Sequence, residues 1–158
     1  DIWLQERLTH GSGSRRCPTD QEFFEALVVQ RLYPRRKIAR YMLIALEEAH
    51  QHKEPVETAA ATMEHVMPQT LSDDWKVSLG GGYAEIHDSW LDTLGNLTLT
   101  GYNSELSNGT FEDKKVRLQN THFELSRSLL SQSRWGPDQI EARGKALAEI
   151  ALGRWRMG

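Results

Sequence analysis

The sequence holds one cysteine, Cys17, in 158 residues. A lone thiol closes no internal disulfide, and a cysteine cage around a structural zinc is excluded. Any such zinc would have to rest on histidines and carboxylates. A reducing cytoplasm is consistent with this cysteine usage. No apolar run approaches the roughly 20 residues of a membrane span, and no secretory leader opens the chain. We therefore expect a cytoplasmic protein with no membrane partner. Positive charge is not in excess: the net charge is −3, which taken over the whole chain argues against a nucleic-acid partner. Internal repeats and low-complexity stretches are lacking too. The chain opens at Asp1 rather than Met, and we expect a fragment whose upstream partner domain lies outside this sequence.

What is present fits about one domain of ordinary globular composition, 39% hydrophobic and 26% charged. The charge is unevenly spread. Residues 1–110 carry 10 Lys and Arg against 16 Asp and Glu, and residues 111–158 carry 9 against 6. A second basic block comprises Arg31, Arg35, Arg36, Lys37 and Arg40. Such clusters grip phosphates locally even on an acidic body, although each also reads as a solvated helix face.

Residues 11–18 read as a loop. Thr19 or Asp20 then caps a helix with an apolar stripe of Phe23, Phe24, Leu27, Val28 and Leu32. Pro34 ends it. A second helix is expected over 36–52 and leaves at Pro55, giving a short antiparallel pair. A strand is expected over 61–66, and a helix or irregular insertion over 83–94 after the Gly80-Gly81-Gly82 break. A second strand is expected over 94–99, opened by the turn residues Gly95 and Asn96. A loop over 101–110 and a basic helix over 111–118 follow. The last helix starts at Pro137, a favoured first-turn position. Trp75, Trp90 and Trp135 are assigned to the core, His87 to packing or surface, and His50 and His52 to solvent. His122 follows the basic helix, within reach of a bound nucleic acid.

The chemistry concentrates between Glu64 and Lys114. Hydrolysing a phosphodiester takes a water, a base to deprotonate it and a cation to offset developing charge. A neutral imidazole accepts a proton at physiological pH, so His65 is the candidate base. Carboxylate and amide oxygens suit a hard cation such as Mg2+ or Mn2+, which makes Glu64 and Asn103 candidate ligands. Asn96 sits in a turn, where its side chain can tie two ribbons together. Lys114 and Lys115 are placed to reach phosphate oxygens, with Arg117 as a further choice. Each has a plainer reading: Glu64-His65 as surface residues, Asn96 as an ordinary turn, Asn103 as a local cap.

The ordered set is Glu64-His65-x-x-Pro68-Gln69, Leu94-Gly95-Asn96-Leu97-Thr98-Leu99, Asn103, then Ser107-Asn108-Gly109-Thr110-Phe111-x-x-Lys114. It resembles the HNH (ββα-metal) nuclease domain at the C-terminus of GmrSD-type modification-dependent restriction enzymes. Their relatives include the nicking effector of phosphorothioate-sensing Ssp defence systems. The resemblance extends upstream through the helical pair and downstream to Trp135, Ile140, Arg143 and Leu147. It implies a β-hairpin followed by a helix with a metal ion between them. His65 is then the general base, Glu64 and Asn103 are metal ligands, and Asn96 is the middle Asn supporting the hairpin loop. The sequence departs from many HNH enzymes in using Glu-His for Asp-His. It also has a long gap between His65 and Asn96, so residues 70–93 must loop out. No cysteine pairs flank the motif, so the zinc-stabilised variant is not expected.

The expected fold class is α+β, a ββα-metal (HNH) nuclease core with an N-terminal helical pair and a C-terminal helix. We divide the chain into a helical linker or scaffold segment (1–60), the nuclease core (61–135) and a C-terminal packing helix (136–158). The expected function is divalent-metal-dependent nicking or cleavage of double-stranded DNA in anti-phage restriction. The upstream domain of the full-length protein would sense the modification, and a homo-oligomer is one route to a double-strand break. The competing expectation is a non-catalytic DNA-binding or docking module derived from such a nuclease; an RNA-directed nuclease is a third.

Overall fold

The structure is a computed structural model that describes residues 18–50, 56–101 and 108–156. Seven α-helices and one two-stranded antiparallel sheet make an α+β fold among these residues. None of the described helices is long and apolar enough to cross a membrane.

Helix α1 (Asp20–Val29) opens on a capping box. Thr19 Oγ1 accepts from the Glu22 amide at 3.2 Å while the Glu22 carboxylate accepts from the Thr19 amide at 2.8 Å, so two orphan donors of the first turn are satisfied. Helix α2 (Arg36–Glu48) buries Ala39, Met42, Leu43, Leu46 and Glu47, the spacing of one helical face. It ends at Glu48, short of the expected 52. Strand β1 (Thr62–His65) pairs with β2 (Leu97–Thr100), with Thr62 opposite Thr100 and His65 opposite Leu97.

Between the strands, the expected looped-out stretch contains two helices. Helix α3 (Asp73–Leu79) is capped by Ser72 and carries Asp73 and Asp74 in its first turn, both favourable at the positive end of the helix dipole. Helix α4 (Tyr83–Trp90) follows. Helix α5 (Phe111–Leu118) has its own capping box from Thr110 and Asp113. A short α6 (Glu124–Arg127) was not expected; the carboxylate of Glu47, distant in sequence, caps it by accepting from the amides of Glu124 (2.7 Å) and Leu125 (3.0 Å). Helix α7 (Pro137–Arg154) has Pro137 in its first turn, as expected.

The core runs through all three segments of the chain. One cluster joins Leu27 and Val28 of α1, Leu43 and Leu46 of α2, Leu97 and Leu99 of β2, and Leu147 and Ala148 of α7. A second gathers Val66, Met67, Trp75, Phe111 and Trp135. Trp75 and Trp135 are buried as expected, whereas Trp90 is only partly buried at the edge of the second cluster.

The expected strand over 94–99 also needs correction: Leu94–Asn96 form a single turn of 3-10 helix, and β2 starts at Leu97. Helix α7 is the reason. A Cβ on Gly95 would collide with the Ile140 carbonyl oxygen and lie 3.1 Å from the backbone nitrogen of Gly144, the facing glycine of α7. Buried Arg143 then fixes the turn, donating to the carbonyls of Gly95 (2.8 Å), Leu97 (2.7 Å) and Leu125 (3.0 Å). Burial lowers its pKa to about 10, against the opposing influence of Glu47. Gly95→Ala is therefore expected to cost about 1–3 kcal/mol by overpacking against backbone that cannot rotate away. Urea denaturation measures it, and a midpoint equal to wild type would refute the close approach.

Candidate active site

His65 ends β1 with its side chain on the same ribbon face as Leu97, its register partner. The ring is 6% exposed. It meets the Tyr33 ring at 4.2 Å between centroids in a T-shaped contact, and Nε2 lies 3.1 Å from Asp92 Oδ1. A carboxylate only accepts hydrogen bonds, so Nε2 carries the hydrogen and the lone pair sits on Nδ1. Burial pushes the His65 pKa below its usual 6.5 against the lift from Asp92, and the charges of Lys114 and His87 add to the fall. The imidazole is thus neutral at pH 7, oriented, and has one basic nitrogen.

Asp92 is itself held. Its carbonyl accepts from the amides of Leu32 (2.8 Å) and Tyr33 (3.2 Å), and Arg31 Nε lies 3.5 Å from Oδ2. The loop between α1 and α2 therefore docks on the segment ahead of β2 and brings Tyr33 to the histidine and Arg31 to Asp92. Asp92, Tyr33 and Arg31 were absent from the sequence-based candidates. A buried imidazole base needs an acceptor to fix its tautomer, and Asp92, two residues before Leu94-Gly95-Asn96, is the carboxylate that sequence reasoning could have sought.

Glu64 shares the opposite ribbon face with Thr98. Burial raises its pKa, partly offset by the charge of Lys114. No hydrogen bond or ion pair satisfies this half-buried carboxylate among the described residues. An unsatisfied carboxylate is a fitting ligand for an ion of the Mg2+ class, which takes one or two carboxylates and fills its sphere with waters and phosphate oxygens. No group of three His, Cys, Asp or Glu able to hold a metal occurs among the described residues. Asn103, the second expected ligand, lies outside the described residues.

Asn96 is fully buried and fully used. Its Oδ1 accepts from the Met67 amide (2.8 Å) and Trp135 Nε1 (3.0 Å), and its Nδ2 donates to the carbonyls of Met67 (3.0 Å) and Leu91 (2.9 Å). It ties the exit of β1 to the approach to β2, the tie expected of it, and leaves no side-chain group for substrate.

Lys114 departs from its expected phosphate contact. It is buried, with Nζ donating to the His65 carbonyl at 2.7 Å, and burial lowers its pKa to about 8. An amphipathic helix turns this position inward because Phe111 and Leu118 flank it on the buried face. Lys115 is engaged too, with Glu112 at 2.7 Å, the Gln132 carbonyl at 2.9 Å and the Phe111 ring at 5.2 Å. Arg117 is exposed on α5, where its charge acts on Asp113. His87 is partly buried against the Pro68 carbonyl (2.9 Å), which fits packing. His122 is exposed. His50 is half-buried, not solvent-facing, and His52 lies outside the described residues.

A family model described as GmrSD restriction endonucleases, C-terminal domain, matches residues 17–150. No curated protein matches the chain.

Proposed function

The chain belongs to the family of GmrSD restriction endonuclease C-terminal domains, and from that membership we propose that it is a divalent-metal-dependent DNA endonuclease domain of HNH type, with His65 as general base. The observation that carries this reading is the His65–Asp92 pair at 3.1 Å, next in sequence to Glu64, a half-buried carboxylate that feels the charge of Lys114 but has no hydrogen bond or ion pair among the described residues.

In the proposed reaction, Nδ1 of His65 takes a proton from a water that attacks the scissile phosphorus, while Asp92 holds the ring and stabilises the imidazolium that forms. The bond to the 3′ oxygen breaks. Glu64 would hold a Mg2+ or Mn2+ ion, with Asn103 as a second donor on the strength of the resemblance; when bound, the ion offsets charge on the phosphate and the departing oxygen. Lys114 fixes the backbone of His65 and does not touch DNA. Arg117 remains a candidate backbone contact, and Lys115 a weaker one. Sensing of modified DNA belongs to an upstream domain, cutting both strands to two copies or two visits, and the setting to cytoplasmic defence against phage.

Nicking of supercoiled plasmid tests this. Relaxation with Mg2+ or Mn2+ that EDTA abolishes is expected; DNA binding with no nicking under any divalent ion would favour the non-catalytic module. The depressed His65 pKa sets the pH profile. Nicking should fall on acidification with a midpoint below 6.5, and Asp92→Asn should move that midpoint lower, since the lost charge was raising the pKa. The fold should also lose stability as pH drops below 6.5, because the unfolded chain takes up the proton first. An acid limb centred above 6.5 would contradict the assignment.

A further inference from the structure

We propose that the junction of α1 and α2, through Arg35, Arg36 and Lys37, grips the phosphate backbone of duplex DNA beside His65. The inference rests on the endonuclease reading and adds a phosphate-gripping face to the candidate contacts on α5. Residues 26–46 carry five cations and no acid. Two of the five have structural tasks. Arg40 donates to the carbonyls of Ala59 (2.8 Å), Thr58 (3.3 Å) and Ala61 (3.4 Å), and Arg31 faces Asp92 (3.5 Å) and Asp88 (3.7 Å). Arg35, Arg36 and Lys37 are exposed and, among the described residues, have no hydrogen bond or ion pair from their side chains.

Arg36 ties the cluster to the histidine. The Arg36 guanidinium lies over the Tyr33 ring at 4.9 Å from its centroid, and that ring lies 4.2 Å from the imidazole. Laid end to end, the two contacts put the guanidinium within about 9 Å of the imidazole. With phosphates rising ~3.4 Å per nucleotide on one strand, this is the range of the next few phosphates from a scissile bond. Stacking on a ring leaves the edge N–H donors of a guanidinium free for bidentate contact with a phosphate.

The local helix physics agrees. Helix α2 starts without a side-chain cap and without an acid in its first turn. Cations at the positive end of a helix dipole are unfavourable, and a bound anion relieves that. Tyr33, the ring nearest the histidine, is already covered by Arg36, which speaks against a stacking platform for single strands.

The test is fluorescence anisotropy of the whole chain with a labelled duplex in EDTA, across a salt titration. The variants are wild type, Arg35→Ala/Arg36→Ala/Lys37→Ala, the single change Lys37→Glu, His65→Ala, and the control Lys145→Ala, whose ammonium is paired with Glu141 on α7. Thermal melting confirms that the variants are folded. The triple variant should bind at least about tenfold more weakly at low salt, with the slope of log K against log salt reduced by about 3, close to one per lost phosphate contact. Lys37→Glu should weaken binding in the same sense, and Lys145→Ala should match wild type. His65→Ala should bind normally and fail to nick. A triple variant with wild-type affinity and slope overturns the surface while leaving the endonuclease reading intact. Wild-type protein that neither binds nor nicks duplex DNA overturns both. Tighter binding of single-stranded RNA, lost equally in the triple variant, overturns the duplex DNA assignment.

Discussion

His65→Ala lowers metal-dependent nicking by at least about 10²-fold, because a positioned general base contributes roughly 10²–10⁴-fold. The substitution leaves duplex binding unchanged, since the ring is buried against Tyr33 and Asp92 and its removal subtracts no surface cation. It leaves the fold largely intact, because Asp92 keeps the Leu32 and Tyr33 amides on its carbonyl and Arg31 near its carboxylate. The informative comparison is His87→Ala, the other histidine between the strands. His87 holds the Pro68 carbonyl and faces no carboxylate partner of its own among the described residues, so its loss should lower nicking far less. Single-turnover nicking at pH 7.5, with a melting curve for each variant, separates chemistry from folding. Activity of the His65 variant within threefold of wild type would sink the assignment.

Much of the fold was legible in the sequence where local signals act alone. The cap at Thr19, the apolar stripe of α1, the first-turn Pro137 and the basic helix at 111–118 each declare themselves within a few residues. What stayed hidden depends on partners far along the chain. Helix α6 is only four residues long and relies on the Glu47 carboxylate across the core. The 3-10 turn at Leu94–Asn96 exists because α7 presses on Gly95. The candidate site divides in the same way. Glu64 and His65 were visible as a motif, but Asp92 and Tyr33 meet the imidazole, and Arg31 meets Asp92, through a loop docking that no periodicity encodes. Lys114 reads as surface because it is a lysine among charged neighbours, yet it shares the buried face of α5 with Phe111 and Leu118, where the His65 carbonyl receives its ammonium. A buried ammonium on the His65 carbonyl is a device for holding a strand end, and it puts the site's rigidity on the same helix that was expected to hold DNA.

Asn96 holds the two ribbons from the other side, and Asn96→Ala should destabilise the fold by at least about 4 kcal/mol, since each buried group left without a partner costs about 1–3 kcal/mol. Four groups lose their partner at once: the amide and carbonyl of Met67, the Leu91 carbonyl and Trp135 Nε1. The site is fully buried, so water does not replace the amide without opening the core. Against a typical total of roughly 5–15 kcal/mol, such a loss leaves the domain marginal or unfolded. Asn96→Asp distinguishes hydrogen bonding from packing because it keeps the shape. Its oxygen still accepts from the Met67 amide and Trp135, yet it turns an acceptor toward two carbonyls and buries a charge. We expect it to be as harmful as alanine, whereas a purely steric role would leave it near wild type. Urea denaturation followed by tryptophan fluorescence reads the difference directly, because Trp135 is one of the four partners. Either variant unfolding within about 1 kcal/mol of wild type, the range of an ordinary surface substitution, would show that this side chain does not hold the two ribbons together.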